Sequence, residues 1–311
     1  MPSEVRWRAP AKINFYLKVL DRRPDGYHNI SSLFQMISLY DHLRFRSARR
    51  GIRLIIRGEP VSADSDNLVY QAAERLTRAY PQKAGVVIEL DKQIPLGAGL
   101  GGGSSDAAAT LLGLRRLWRL RTPLSDLRSL ALELGSDVPF FLNGPTAFVQ
   151  GRGEEVVPCR LAKPWWLVIV NPGIQVSTAW AYQQLAAIRE KRSRSELTNP
   201  PDRLKMSQLG SMPGGQPAGG RKGQVAVVKE ILGHLQNSLE GITIAHYPVI
   251  SDIKDRLITA GAQGALMSGS GPTVFGLFSD RGVAKEAAAS LSCQPGWRIW
   301  IVKTLQRSPQ V

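Results

Sequence analysis

Hydrophobic and polar positions alternate along several short segments of the chain, as they do in strands that bury one face. In residues 11–20, every second position from Ile13 to Val19 is apolar, so one face of the predicted strand is continuous. Comparable patterns predict strands in the first half over residues 33–39, 43–47, 52–57 and 86–90.

Apolar residues spaced three or four positions apart predict the helices. The clearest helix covers residues 67–80, and either Asp64 or Asp66 is expected to cap its N-terminus. Further helices are predicted over residues 105–118, 124–134, 178–191, 249–260 and 282–291. Gly135 is expected to end the helix at 124–134 in a left-handed conformation. The first 160 residues therefore mix strands with helices.

The second half has a different order of elements. Strands are predicted over residues 165–170, 264–267, 273–278 and 297–302. From residue 249 onward the order is helix, strand, strand, helix, strand, which is typical of an antiparallel sheet covered by helices on one face. Residues 193–224 are rich in Ser, Pro, Gly, Lys and Arg and are predicted to form a flexible surface loop.

The composition is that of a globular protein, with 43% hydrophobic and 21% charged residues among 311. This length suits two ordinary domains or one large one, and the change in the order of elements predicts two, residues 1–160 and 161–311. Cys159 and Cys293 lie far apart in sequence and give neither a disulfide framework nor metal-ligand spacing. The apolar run at 165–170 is too short to cross a bilayer, and no secretory signal is visible. A cytoplasmic protein without a membrane partner is expected, and the alternative is an organelle stroma, reached with a transit peptide that is later removed.

The formal net charge of +15 has three interpretations. Arginine is simply preferred on solvated faces, or the positive field attracts an anionic substrate such as a nucleotide, or the chain binds nucleic acid. The arginines are scattered, and no RNA-recognition, zinc or homeodomain pattern accompanies them. The first interpretation is favoured, and nucleic acid has the least support.

Residues 95–106 carry the strongest chemical signal, a Gly-rich run that leads into a predicted helix. Glycine lets backbone N–H groups approach a ligand without a Cβ in the way, and a helix N-terminus offers unpaired N–H groups to an anion. Ser104 and Ser105 add hydroxyls that suit a phosphate or a bound Mg²⁺. The segment predicts a polyphosphate-binding loop made of Pro95, Leu96, Gly97, Ala98, Gly99, Leu100, Gly101, Gly102, Gly103, Ser104 and Ser105.

Three well-known phosphate-binding loops fit this segment poorly. A P-loop requires Lys where Gly103 stands. Gly97, Gly99 and Gly102 match a dinucleotide fingerprint formally, but such a fingerprint follows its strand directly. The Gly-rich loop of protein kinases joins two strands, whereas a helix follows here. A flexible linker is a further alternative, but Pro, Leu and Ala among the glycines indicate a defined shape.

The segment resembles the signature of the GHMP kinases, the family of galactokinase, homoserine kinase, mevalonate kinase and phosphomevalonate kinase. Pro95 and the run from Gly99 to Ser105 fit its Pro-x-x-x-Gly-Leu-Gly pattern, and residues 268–275 match its C-terminal Ser/Gly-rich turn between two strands. Within the family, the chain is most similar to the branch that acts on 4-diphosphocytidyl-2-C-methyl-D-erythritol, at residues 10–14, 23–28 and 135–141.

The resemblance implies an α+β, two-domain GHMP-kinase fold. Its N-terminal domain would be a ribosomal-protein-like α/β domain with a left-handed crossover, and its C-terminal domain ferredoxin-like α+β. The implied activity transfers the γ-phosphoryl group of ATP, with Mg²⁺, to the 2-hydroxyl of this cytidine-diphosphate sugar alcohol in the non-mevalonate isoprenoid pathway. A monomer or weak homodimer is expected. The alternatives are a homoserine- or mevalonate-type kinase and, more remotely, a basic nucleic-acid-binding protein.

By the same resemblance, Lys12 and Asp137 match the catalytic pair of the family. Asp137 has the chemistry to accept the hydroxyl proton, and Lys12 the charge to stabilise the phosphoryl oxygens. From the sequence alone, Asp137 could instead cap the turn over residues 138–142, and Lys12 could be an ordinary solvated strand residue.

Substrate contacts are implied for Asn14, Tyr27, His28 and Tyr182, and positions lining an adenine pocket for Asn67 and Lys92. Tyr27 offers a flat aromatic face, and neutral His28 has a donor and an acceptor for the polar edge of cytosine. The simpler alternative is that both residues pack after a turn. Ser238 stands where the family often has Asp, which leaves the role of that position open.

Overall fold

The computed structural model describes residues 3–195, 226–228 and 230–309, and these form two β-sheets. The first sheet contains β1 (Glu4–Arg22), β2 (His28–Ala48), β3 (Ile52–Gly58), β4 (Gly85–Lys92), β5 (Thr146–Gly151), β6 (Glu155–Leu161), β8 (Ala226–Val228) and β9 (Gln236–Asn237). The second contains β7 (Trp166–Asn171), β10 (Gly264–Met267), β11 (Val274–Phe278) and β12 (Arg298–Lys303). The helices are α1 (Leu68–Ala79), α2 (Gly102–Leu117), α3 (Leu124–Leu134), α4 (Val138–Asn143), α5 (Thr178–Ser195), α6 (Glu240–His246), α7 (Val249–Thr259) and α8 (Arg281–Leu291).

Strand β2 is the centre of the first sheet, because β1, β4 and β5 all pair with it in antiparallel fashion. The prediction of two separate strands at 33–39 and 43–47 was wrong. They are one strand with a bulge, since Pro10 pairs with Tyr40 while the next residue, Ala11, pairs with Ile37. The bulge interrupts the alternation of side chains, which made one strand look like two.

Strands β3 and β4 are parallel neighbours joined through helix α1. Helices α1, α2 and α3 pack on one face of this sheet, where they bury Phe45 of β2 and Ile88 of β4 together with Leu76 and Leu111. This layer of helices holds α2, which follows the Gly-rich segment, against the sheet.

The two sheets pack against each other through a second apolar cluster. The rings of Phe15 in β1 and Phe275 in β11 meet edge to face, with centroids 5.9 Å apart and an interplanar angle of 80°. Ala98 and Leu100 of the Gly-rich segment belong to the same cluster. The segment is therefore fixed between the two sheets.

The second sheet is antiparallel throughout, in the order β10-β11-β7-β12, as the sequence predicted. Helix α7 buries Ile253 and Leu257, and helix α8 buries Ala287 and Leu291, in the core that also contains alternate residues of this sheet. The opposite face of the sheet packs on the first sheet. The division of domains at residue 160 stays a prediction, because β8 and β9 pair with β6 and β1 of the first sheet.

Several element boundaries differ from the predictions. Asn67, and neither Asp64 nor Asp66, caps α1, since its side chain accepts the N–H of Val69. Gly135 ends α3 with φ of 161°, which is extended backbone and not the left-handed conformation expected.

Five elements, β5, β6, β8, β9 and α6, were not predicted at all. Of the loop predicted over residues 193–224, the first three residues end helix α5, and the remainder lies outside the described residues. Among the helices that the structure describes, none has the length and apolar character needed to cross a membrane.

Candidate active site

The Gly-rich segment leaves β4 after Lys92 and enters α2 at Gly102. Gly97, Gly99 and Gly101 have φ of 57°, 71° and 68°, in the left-handed region that glycine adopts without strain. Gly101 is the N-cap of α2, so the helix begins three residues before the predicted start. Its first turn, with unpaired N–H groups, is made of the glycines and serines expected to bind phosphate.

Contacts from both sheets hold this segment in place. Ala98 and Leu100 are buried, and the N–H of Lys12 in β1 donates to the carbonyl of Leu100 at 2.9 Å. The hydroxyl of Ser268, in the turn between β10 and β11, donates to the carbonyl of Gly99 at 2.9 Å. A Cβ on Gly99 would lie 2.1 Å from the carbonyl oxygen of Ser268, so this position requires glycine. The segment is an ordered loop, not a flexible linker.

A cavity of about 400 Å³ lies along the loop. Its lining includes Lys12, Asn14, Leu17, Ile30, Phe34, Leu68, Lys92, residues 95–104, Asp137, Thr178, Tyr182, Leu239, Gly269 and Ser270. Ten consecutive loop residues thus face one space, which we call the phosphate cavity. The two predicted catalytic residues, Lys12 and Asp137, lie at the same space.

Lys12 is a buried cation directed toward polar partners. Its Nζ donates to Oδ1 of Asn14 at 2.8 Å, lies 3.6 Å from Oδ2 of Asp137, and lies 4.9 Å from the ring centroid of Phe34. Asn14 is fixed in turn, because its Nδ2 donates to Oγ of Ser32 at 3.0 Å. Lys12 is therefore not the solvated strand residue that the sequence alone allowed.

Asp137 occupies the N-cap position of the short helix α4, but its side chain makes no capping hydrogen bond. Its carboxylate keeps 32% of its surface exposed and forms the ion pair with Lys12. The alternative interpretation, a capping role, is therefore not supported by the geometry. The carboxylate is free to meet a ligand in the cavity.

A second cavity, of about 640 Å³, opens beside the first and is lined by Tyr27, His28, Asp137, Arg152 and Tyr182, among others. We call it the aromatic cavity. The rings of His28 and Tyr182 are 5.5 Å apart at their centroids and tilted by 40°. Tyr27 is 55% exposed, and the guanidinium of Arg152 lies 5.0 Å from its ring centroid. The structure thus brings the three predicted cytosine contacts to one space.

Burial lowers the pKa of His28 below its ordinary value, and the positive charges of Arg189 and Arg22 lower it further. Its imidazole is therefore neutral near pH 7, as the sequence analysis expected. Arg189 also ties helix α5 to the end of β1, donating to the carbonyl of Leu20 at 2.8 Å and to that of Val19 at 2.6 Å. Since α5 carries Tyr182, these bonds help to set the width of the aromatic cavity.

The two residues predicted to line an adenine pocket have other partners in this structure. The amide of Asn67 caps α1 and donates to the carbonyl of Ser62 at 2.7 Å, and its neighbour Leu68 lines the phosphate cavity. Lys92 lines that cavity but is only 3% exposed, and its ammonium is paired with carboxylates. Adenine contacts at both positions stay predictions.

Sequence reasoning missed several residues of the site. Arg152, Thr178 and Ser270 line the cavities, and the hydroxyls of Thr178 and Ser270 are 2.9 Å apart. Asn237 holds the Ser/Gly-rich turn, donating to the carbonyls of Met267 and Gly269 at 2.8 and 2.7 Å. The sequence singles out the neighbouring Ser238, but only the fold identifies the turn that Asn237 holds.

The position that departs from the family pattern has a structural role here. Oγ of Ser238 accepts the N–H of Val19 at 3.2 Å, and the N–H of Ser238 donates to the carbonyl of Leu17 at 2.9 Å. Ser238 therefore helps to join β9 to β1, and both Leu17 and the next residue after the serine, Leu239, line the phosphate cavity.

Comparison with known protein families agrees with this geometry. The model of the GHMP kinase N-terminal domain matches residues 67–145, and that of the C-terminal region matches residues 221–296. The first match contains the Gly-rich loop and Asp137, and the second contains the Ser/Gly-rich turn.

Solved structures give the fold. A crystal structure of 4-(cytidine 5'-diphospho)-2C-methyl-D-erythritol kinase superposes with a TM-score of 0.74 and 33% identity, over 96% of this chain and 99% of that chain. A homoserine kinase from Cytophaga hutchinsonii superposes with a TM-score of 0.72 at 21% identity, over 100% and 98% of the two chains. The second similarity bears on the fold alone, and both agree with the predicted GHMP-kinase fold.

Curated relatives give the branch within that family. 4-Diphosphocytidyl-2-C-methyl-D-erythritol kinase from Geobacter sulfurreducens is 40% identical over 299 residues, covering 96% of this chain and 98% of its own. The kinase of the same name from a Synechococcus species is 41% identical over 294 residues, covering 92% and 89%. With both GHMP regions matched and this identity along nearly its whole length, the chain belongs to the 4-diphosphocytidyl-2-C-methyl-D-erythritol kinase branch of the ATP-using GHMP kinases.

Proposed function

We propose that this chain transfers the γ-phosphoryl group of ATP to the 2-hydroxyl of 4-diphosphocytidyl-2-C-methyl-D-erythritol, in the non-mevalonate isoprenoid pathway. The observation that carries the proposal is the place of Asp137, which lines both the phosphate cavity and the aromatic cavity. A donor bound in one cavity and an acceptor bound in the other would meet at this carboxylate. The relatives that share 40% identity carry the name of this activity.

The phosphate cavity suits the donor. Backbone N–H groups of the loop and the N-terminal end of α2 complement the negative charge of a triphosphate. The positive φ values of Gly97, Gly99 and Gly101 let the backbone curve around it without side chains in the way. We therefore assign the γ-phosphate to the part of the cavity near Lys12 and Asp137.

The aromatic cavity suits the acceptor. Tyr27 and Tyr182 offer two ring faces between which a cytosine could stack, and each such stacking contact is worth about 1–3 kcal/mol. Neutral His28 lies beside Tyr182 and can donate one hydrogen bond and accept another at the base edge. Asn14 is held by Lys12 and Ser32 at the wall of the phosphate cavity, which agrees with a contact to the acceptor's sugar-alcohol end.

The chemistry follows from these positions. The 2-hydroxyl oxygen forms a bond to the γ-phosphorus as the bond from that phosphorus to the β–γ bridging oxygen breaks, which releases ADP. Asp137 orients the hydroxyl and takes its proton. Lys12, whose ammonium lies 3.6 Å from the carboxylate of Asp137, stabilises the negative charge on the transferred phosphoryl oxygens.

We infer that Mg²⁺ enters with ATP. Within residues 3–195, 226–228 and 230–309, no group of three or more His, Cys, Asp or Glu side chains is placed to hold a metal ion. In the lining of the phosphate cavity, the oxygens that fit a nucleotide-bound Mg²⁺ are the hydroxyl of Ser104 and the carboxylate of Asp137. Ser105, also predicted to bind phosphate, is 1% exposed and does not line the cavity, although its buried Oγ has no hydrogen-bond partner. When bound, the ion would neutralise charge on the phosphates.

Release of ADP in a coupled assay tests the proposal. The purified chain should release ADP when ATP and the cytidine-diphosphate substrate are both present, and ³¹P NMR should show a new phosphomonoester. Homoserine and mevalonate are the competing acceptors in the panel, because they are substrates of other GHMP kinases. Faster turnover with either of them than with the cytidine substrate would reject the proposed specificity. A cytoplasmic location and a monomer or weak homodimer stay predictions.

A further inference from the structure

Three ionisable residues outside the proposed chemistry are buried together beneath the Gly-rich loop. Asp41, Lys92 and Asp106 are 0%, 3% and 2% exposed. The ammonium of Lys92 lies between the two carboxylates, paired with Oδ2 of Asp41 and donating to Oδ2 of Asp106 at 2.7 Å. We call these three residues the buried acidic–basic cluster. The family resemblance had suggested only that Lys92 lines an adenine pocket.

One end of the cluster holds the entrance of the loop. Oδ1 of Asp41 accepts the N–H of Gln93 at 2.6 Å and the N–H of Ile94 at 2.8 Å. These are the two residues between β4 and Pro95, where the loop begins. A single carboxylate therefore fixes the direction in which the chain leaves the strand.

The other end holds the exit of the loop. Asp106 lies in the second turn of α2, just after the serines of the loop, and its Oδ2 receives the bond from Lys92. The ammonium also lies close under the first helical residue, since a Cβ on Gly102 would be 2.8 Å from Nζ of Lys92. A series of polar contacts from Ile94 through Asp41 and Lys92 to Asp106 thus connects the two ends of the loop.

The three buried charges act on one another. Burial lowers the pKa of Lys92, but Asp106 and Asp41 outweigh it and raise this pKa above its ordinary value. Burial, together with the charge of Asp41, raises the pKa of Asp106 well above its ordinary value, even with Lys92 beside it. Such a cluster is poor at adding net stability, because desolvation of the ions offsets most of their attraction. A cluster of this kind is better explained by the geometry that it imposes.

We propose that the buried acidic–basic cluster of Asp41, Lys92 and Asp106 positions the phosphate-binding loop, and that Lys92 serves as a positioning residue for ATP binding. The inference rests on the proposed function, because it takes the loop to be the ATP site. Asp41 and Asp106 do not line the phosphate cavity, and Lys92 lines it with only 3% of its surface exposed. They hold the two ends of the loop at the separation in which its N–H groups converge.

Asp41→Asn is the sharpest single test. The asparagine Oδ1 can still accept hydrogen bonds from the two loop N–H groups. Its NH₂ group, however, faces the ammonium of Lys92, and two donors cannot form a hydrogen bond with each other. The KM for ATP should rise at least about tenfold, which is about 1.4 kcal/mol. The KM for the acceptor should change less than about twofold, because the aromatic cavity contains none of the three residues.

A matched control separates positioning from general loss of stability. Thr146→Val removes a buried hydrogen bond of 2.7 Å to Gln35, in the core of the first sheet and away from both cavities. It should lower the melting temperature but leave both KM values unchanged. Equal rises in both KM values for Asp41→Asn, or no rise in the KM for ATP, would overturn the proposal.

If Asp41→Asn does not fold, the uncharged triple variant Asp41→Asn/Lys92→Met/Asp106→Asn replaces it, because removal of a whole buried ion cluster is tolerated better than removal of one member. Equilibrium dialysis with a non-hydrolysable ATP analogue then distinguishes the outcomes. Binding to the wild type with at least about tenfold weaker binding to the triple variant supports the cluster. Equal binding to the wild type and the triple variant would overturn only the positioning role of the cluster. If the folded wild type did not bind the analogue, the proposed function and this inference would both be overturned.

Discussion

The ammonium of Lys12 and the carboxylate of Asp137 lie 3.6 Å apart, although 124 positions separate these residues in the sequence (137 − 12 − 1). Lys12 comes from the middle of β1, and Asp137 precedes α4. Only 5% of the lysine side chain is exposed, against 32% of the aspartate side chain. The buried ammonium thus holds the accessible carboxylate at the place where the phosphate cavity and the aromatic cavity meet.

Asp137→Asn should lower kcat by about 10²–10⁴, because the side chain keeps its shape but can no longer accept the proton of the hydroxyl. The melting temperature should change little, since Asp137 makes no capping hydrogen bond. Coupled ADP release measures kcat, and circular dichroism measures folding. Asp255→Asn makes the same chemical change on an exposed residue of α7 and should leave kcat unaltered. Unchanged turnover in Asp137→Asn would remove this residue from the mechanism.

The backbone of the loop, more than its side chains, should determine ATP affinity. Gly99→Ala should raise the KM for ATP at least about tenfold, because its Cβ would lie 2.1 Å from the carbonyl oxygen of Ser268. Gly51→Ala is the matched control, since Gly51 has φ of 74° against 71° for Gly99 and nothing within 4 Å of a Cβ. Both variants carry the left-handed strain of about 1–2 kcal/mol. Similar kinetics for the two would show that the contact with Ser268 is unimportant.

Tyr27 should contribute ground-state binding of the acceptor. Tyr27→Ala should raise the KM for the cytidine substrate by about five- to a hundredfold, because stacking on one aromatic ring is worth about 1–3 kcal/mol. The kcat and the KM for ATP should stay within about twofold of the wild type, as expected when uniform binding is lost. Tyr27→Phe keeps the ring and should behave like the wild type. If the Phe variant lost as much affinity as the Ala variant, the hydroxyl and not the ring face would be responsible.

Local chemistry was predictable from the sequence, and long-range pairing was not. Residue types within about twelve consecutive positions identify the Gly-rich loop. The spacing of apolar residues identifies the predicted helices. By contrast, the pairing of Asp41 with Lys92 depends on the antiparallel register of β2 and β4, which no local pattern states. The catalytic role proposed for Asp137 rests on the family resemblance, because an Asp before a short helix has capping as its simpler explanation.

The missed elements have physical causes. Strand β6 contains Pro158, which cannot donate a ladder hydrogen bond and normally argues against a strand. Helix α6 has seven residues and includes Gly241, so it is too short to show a period and contains a poor helix former. The bulge in β2 places two extra residues, Ser38 and Leu39, opposite the step from Pro10 to Ala11, and this break in the pairing is not visible in the sequence. In each case, tertiary packing stabilises an element that the local sequence does not favour.

The pH dependence of the aromatic cavity provides the last prediction. Burial and the charges of Arg189 and Arg22 lower the pKa of His28, so the folded state binds its proton less readily than the unfolded state, whose pKa is about 6.5. The contribution of His28 to stability is therefore fully present above pH 6.5 and decreases as the pH falls below it. NMR titration of the imidazole should give a midpoint below 6.5, assigned with His28→Gln. Arg22→Gln should raise this midpoint, whereas Arg57→Gln, an equal loss of charge on β3, should leave it in place. A midpoint at or above 6.5 in the wild type would contradict the neutral imidazole on which recognition of cytosine by His28 depends.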